Sequence, residues 1–136
     1  MKVNVRIESD FSKDSNGEGI GECLFDEGRL RINWIQPAGE GEALGAKYSL
    51  TYDSRTHVLE VERFCDHISR MAFCEGVKTR GELQTTEGCF ATEIFTHRMD
   101  IPETGFGRTE LLYDLISDGQ EPISNMLAIS VYEVGE

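Results

Sequence analysis

Asp26-Glu27-Gly28-Arg29-Leu30-Arg31-Ile32-Asn33-Trp34 is the stretch whose reading decides the fold. Asp26-Glu27-Gly28 turns the chain tightly, and strict alternation follows, with Leu30, Ile32 and Trp34 on one face and Arg31 and Asn33 on the other. Successive side chains of an extended chain point to opposite faces, so this period of two describes a half-buried β-strand.

The same period recurs on both sides of that strand, with breaks of Gly, Asp, Asn and Pro every eight to twelve residues, the pattern of a sandwich or barrel. Upstream, Val3, Val5 and Ile7 stripe a first strand, and a second runs from about Glu18 to Phe25 after Asp14-Ser15-Asn16-Gly17. Downstream, a glycine-rich loop at 37–45 leads into a fourth strand, in which Tyr48, Leu50 and Tyr52 alternate with polar residues. Asp53-Ser54-Arg55-Thr56 reads as its turn. A fifth strand places Leu59, Val61 and Arg63 on one side. Residues 68–75 form a sixth strand around Met71 and Phe73, 82–86 a short seventh, and Phe90 to Met99 an eighth.

Thr109 to Ser117 fits two patterns. Leu111, Leu112, Leu115 and Ile116 suit a helical face, and Leu111, Tyr113 and Leu115 suit a strand. Nine residues are short for a free-standing helix, and an unmistakable last strand follows at Ile123 to Val134, so a strand is expected. The expectation is one all-β domain over residues 1–136, an antiparallel up-and-down barrel of about ten strands.

Composition narrows the function classes. The chain has 136 residues, with 13 Lys and Arg against 25 Asp and Glu, a formal net charge of -12. The acids are scattered along every segment, as on a solvated surface, and a surface of this sign repels phosphate backbones and anionic headgroups. Neither nucleic acid nor a membrane is expected as a partner. No apolar run is long enough for a spanning helix, and Met1-Lys2-Val3-Asn4-Val5-Arg6 alternates without the apolar core of a secretory signal. Cys23, Cys65, Cys74 and Cys89 lack C-x-x-C spacing and read as reduced, half-buried small side chains. A cytoplasmic location follows as an expectation.

The order of features resembles the YwiB-like family, bacterial calycin-type barrels of unknown function. The carrying residues are Gly19 with Gly21, Trp34-Ile35-Gln36, Leu59-x-Val61-x-Arg63, Phe73-x-x-Gly76, Thr85-x-x-Gly88 and Leu111-x-Tyr113-x-Leu115, spread over residues 17–132. Gln36 stands where the family tends to have Glu, and Glu87 where it tends to have an aromatic residue. No carboxylate role at the end of the third strand is therefore carried over. The resemblance implies a closed barrel of lipocalin or fatty-acid-binding architecture and no established activity. Fatty-acid-binding proteins carry a helical lid between their first two strands. Asp10 to Gly17 is too short and too polar for two helices, so no such lid is expected.

Arg63 is the most informative residue. It continues the Leu59-Val61 stripe, so alternation turns its guanidinium inward, where an unpaired charge is costly. Strands four and five form a hairpin that sets Tyr48 opposite or diagonal to Arg63, within reach of its phenol oxygen. Arg63 then either binds the carboxylate or phosphate of a ligand, or closes an internal ion pair, or snorkels out at the rim. Trp34, Tyr48, Tyr52 and Tyr113 either line a cavity with polar tips or fill it, together with Leu30, Ile32, Leu50, Leu59, Val61, Leu111 and Leu115.

No metal site is expected. Cys65 and His67 share a strand face, but Glu93 and His97 are too far apart along an extended strand to chelate one ion. Asp66, His67 and Ser69 resemble triad members only when read in a line, because neighbours in a strand face opposite ways. Gly39, Gly41 and Gly45 lack the Gly-Lys-Ser/Thr and the helix of a phosphate loop. No catalytic residue and no cofactor is assigned. The leading reading is a noncatalytic barrel binding a small anionic or amphipathic ligand through Arg63, Tyr48, Trp34, Tyr52 and Tyr113. The alternative is a filled barrel that acts by protein–protein contact or homodimerisation.

Overall fold

A computed structural model describes residues 1–9, 17–37, 45–102, 106–117 and 119–134. Ten antiparallel strands close into a barrel: β1 (Lys2–Ser9), β2 (Gly17–Asp26), β3 (Arg29–Gln36), β4 (Ala46–Asp53), β5 (Val58–Phe64), β6 (Ile68–Phe73), β7 (Lys78–Thr85), β8 (Gly88–Asp100), β9 (Gly107–Ile116) and β10 (Ile123–Glu133). Each strand pairs with its neighbour in sequence, and β1 pairs with β10 from Val3↔Glu133 to Ser9↔Leu127, which removes both sheet edges. Among the described residues there is no helix, and none long and apolar enough to cross a membrane.

Local sequence explains the hairpins. Glu27 (φ 50°) and Gly28 (φ 79°) both lie in the left-handed region, so the β2–β3 connection is a two-residue primed turn whose twist matches the strands it joins. Residues 109–116 settle as strand in β9, paired with β10 as far as Leu115 and with β8 from Glu110 to Ile116. β7 corrects the expected short strand at 82–86: it begins at Lys78. Its early inward positions are Thr79 and Gly81, which give no apolar stripe to read. Thr79 is held by its hydroxyl on the Ala72 carbonyl, and Gly81 lies against Ile94 and Thr92. β6 ends at Phe73, two residues earlier than expected.

The inward residues fuse into one core. Val3, Val5, Ile32, Trp34, Leu59, Phe73, Ile94, Leu111 and Ile129 are all 0–1% exposed. β8 keeps its apolar side inward by a register shift between Thr96 and Arg98, which leaves His97 as the extra residue and turns both Thr96 and Met99 inward. The Glu75 carboxylate accepts the Met99 amide at 2.8 Å just past this bulge. On the outer face, Ala128 and Ser130 are buried although they face outward. They lie between Arg6 and Glu8 of β1 and Arg108 and Glu110 of β9, long side chains that cover them.

An up-and-down barrel puts the connections that follow odd-numbered strands at one end. Residues 65–67 after β5, 86–87 after β7 and the segment after β9 therefore share an end, called the mouth below. The glycines expected at the mouth at 39 and 41, and residues 10–16, where no lid is expected, lie outside the described residues.

Candidate functional site

Pairing registers carry one inward-facing row across six strands at the mouth end: Trp34↔Tyr48, Tyr48↔Arg63, Arg63↔Ser69, Ser69↔Leu83 and Leu83↔Phe90. Paired residues of an antiparallel sheet share a face, so this row reports what the barrel interior presents there. Gly21 of β2 extends it, opposite Trp34.

Gly19 and Gly21 make room for the indole. A methyl group at Gly21 would overlap the Asn33 carbonyl oxygen and lie 2.6 Å from Trp34 Cβ, and one at Gly19 would approach Trp34 Cδ1 at 3.1 Å. The ring lies flat on Tyr48, with centroids 4.9 Å apart and planes 3° from parallel. Trp34 Nε1 is buried and has no hydrogen-bond partner among the described residues.

Arg63 follows on the far side of Tyr48. Its Nε–H donates to the Tyr48 phenol oxygen at 3.1 Å, and its guanidinium carbon is 5.9 Å from the Tyr48 ring centroid. The side chain is half-buried, and among the described residues no carboxylate lies within ion-pair distance of it. Among the described residues its outer N–H groups have no hydrogen-bond partner. The internal salt bridge weighed for Arg63 is not formed among these residues.

The other two aromatic candidates stand elsewhere. Tyr52 lies four residues beyond Tyr48, the Arg63 partner, and pairs with Leu59, toward the opposite end of the barrel. It is half-exposed there, with its hydroxyl 3.4 Å from His57 Nδ1. Tyr113 is 3% exposed and meets Phe73 edge-on at 5.0 Å, so it is packed within the core. The structure therefore assembles Trp34, Tyr48 and Arg63 and separates Tyr52 and Tyr113 from them.

The row also contains residues that the alternation of single strands did not single out. Leu83 and Phe90 face inward yet are 40% and 55% exposed, and Ile123, which faces inward opposite Leu115, is 50% exposed. An inward apolar side chain reached by solvent marks a place where the barrel is open. The signal for Leu83 was its register with Arg63 through Ser69, which becomes visible only once β7 is traced from Lys78.

Cys65 and His67 do not share a strand face, as the spacing suggested. Residues 65–67 form the bend between β5 and β6, closed by the Cys65 amide on the His67 carbonyl at 3.1 Å. Among the described residues no group of His, Cys, Asp or Glu is placed to hold a metal.

Two polar features lie on the outer face. His97 Nε2 is 2.8 Å from Asp114 Oδ2, and the Ser124 hydroxyl donates to Asp114 Oδ1 at 2.7 Å. Both contacts favour the carboxylate and hold Asp114 below the usual carboxylate range. The aspartate is central and the serine does not touch the histidine, so the serine is not activated as a nucleophile. A groove of about 600 Å³ also runs along β3–β5, lined among others by Arg31, Ser49, Thr51 and Glu60, and none of the Trp34–Tyr48–Arg63 group borders it.

The family model described as Domain of unknown function (DUF1934) matches residues 25–129. Among solved structures, the chain is similar to the crystal structure of the ywiB protein from Bacillus subtilis. The TM-score is 0.61 at 10% sequence identity, over 95% of this chain and 90% of that one. At that identity the likeness speaks for the fold alone. No curated protein matches the chain.

Proposed function

The chain belongs to the family described as Domain of unknown function (DUF1934), and from that premise we propose that its barrel binds a small anionic, amphipathic molecule at the mouth, without catalysis. The observation that carries this reading is Arg63, a half-buried, inward-facing residue whose Nε–H is anchored by Tyr48 and which has no carboxylate partner among the described residues. Withdrawing a charge from water without a partner costs several kcal/mol, so an inward cation is retained at a cost unless an anion meets it. Exposed, inward-facing Leu83, Phe90 and Ile123 supply an apolar surface on the same end. The stacked Trp34 and Tyr48 fix the phenol oxygen that orients the guanidinium.

The same reading places the protein in a reducing cytoplasm, in keeping with Cys23, Cys65, Cys74 and Cys89 as free thiols. The net charge of -12 argues against nucleic acid and anionic membrane as partners. Self-association is the second reading, favoured by Ile20 and Ile35, cross-strand neighbours on the outer face that are 53% and 62% exposed.

Native mass spectrometry of freshly purified protein, set against its denatured mass, separates the two. A copurifying small molecule that is lost in Arg63→Ala is the expected result. A bare dimer, with no bound molecule in either protein, would overturn the ligand reading in favour of the second.

A further inference from the structure

The inner surface around Arg63 is closed below and open sideways. One layer deeper, the corresponding inward row reads Ile32, Leu50, Val61, Met71 and Gly81. Ile32, Leu50 and Val61 are 1%, 2% and 8% exposed, and Met71 packs on the core, so a tail cannot run down the barrel axis without displacing packed side chains. Sideways the surface changes character. Ser69 is small, and beyond it Leu83 and Phe90 face inward with much of their surface in water. At about 5 Å per strand, Leu83 lies roughly 10 Å and Phe90 roughly 15 Å from Arg63 along the sheet.

We infer that the ligand is a short amphipathic carboxylate lying across β5–β8, with its carboxylate on Arg63 and its apolar body over Ser69 against Leu83 and Phe90. The inference rests on reading Arg63 as an anion site and adds the class and length of the ligand. Charge selects a monoanion: Arg63 is the single cation in the row, and a dianionic phosphate ester would leave one charge uncompensated in a half-buried site on a strongly acidic protein. Geometry accommodates a carboxylate. With Nε held by Tyr48, the remaining N–H groups of the fork match two oxygens of a carboxylate.

Length follows from the closed floor. Each methylene that covers Leu83 or Phe90 raises affinity roughly fourfold, and methylenes past Phe90 lie in water and add little. The test is calorimetric titration with straight-chain carboxylates from butanoate to hexadecanoate, below their micelle concentrations, and with decyl phosphate. Affinity is expected to climb through about decanoate and then level, with decanoate bound more tightly than decyl phosphate. Leu83→Ser and Phe90→Ser should flatten the climb by about tenfold at decanoate and by far less at butanoate, with circular dichroism confirming the fold.

An affinity that keeps rising to hexadecanoate, tighter binding of decyl phosphate, or a climb unaltered in both variants would overturn this inference while the anion site stands. Failure of every carboxylate and of decyl phosphate to bind would instead overturn the reading of Arg63 itself.

Discussion

At Arg63, two local rules act together: alternation turns the side chain inward, and the β4–β5 hairpin register fixes what it meets. Tyr48 is its direct cross-strand partner, and the phenol oxygen takes the Nε–H. Both were legible in the sequence, because they depend on spacing within one hairpin. The His97–Asp114–Ser124 contacts were not, since they join β8, β9 and β10 across a bulge. They lead to a pH prediction. Asp114 titrates below its ordinary range in the folded protein, so its stabilising contribution is full above that range and is lost as pH falls through the depressed folded value. Asp114→Asn should cost about 1–2 kcal/mol near neutrality, the worth of hydrogen bonds to a charged group at a partly exposed site. Urea melts of wild type and variant should converge as the pH falls below the ordinary carboxylate range. A gap that persists unchanged at acid pH would contradict the assignment.

At the level of elements, β2 and β3 show how a residue without a side chain can determine where a large one sits. Gly19 and Gly21 let β2 pass under the indole of Trp34, which in turn stacks on Tyr48 and so supports the phenol that holds Arg63. Gly21→Ala would press a methyl group on the Asn33 carbonyl and the Trp34 backbone. Overpacking of this kind costs about 1–3 kcal/mol, and here it should also change the near-ultraviolet circular dichroism of Trp34. A variant as stable as wild type with an unaltered Trp34 signal would show that β2 yields freely. β7 teaches the opposite lesson. Its inward Thr79 and Gly81 hide half the strand from any reading based on apolar alternation, and with it the position of Leu83 beside Ser69.

For the whole molecule, closure matters most. β1 and β10 lie at opposite ends of the described chain, yet they pair along seven positions, and Ile129 of β10 contributes to the same core as Ile32 of β3. A single core without sheet edges should unfold as one unit. Ile129→Ala and Ile32→Ala, both at 1% exposed positions, should each cost about 2–5 kcal/mol. Each should shift one common denaturation midpoint, the same by Trp34 fluorescence and by far-ultraviolet circular dichroism. Separate midpoints for the two probes would show that the β1–β10 seam opens independently. The sequence by itself determined nine of the ten strands in outline and the inward turn of Arg63, with residues 109–117 left between helix and strand on pattern alone, because these rest on period-two patterning and turn chemistry within neighbouring residues. Only the tertiary structure decided which inward residues are core and which form the mouth. Tyr52 and Tyr113 carry the same alternation as Tyr48, but their depth along the barrel is set by register summed over several strands, and a bulge or a hidden strand start resets that sum.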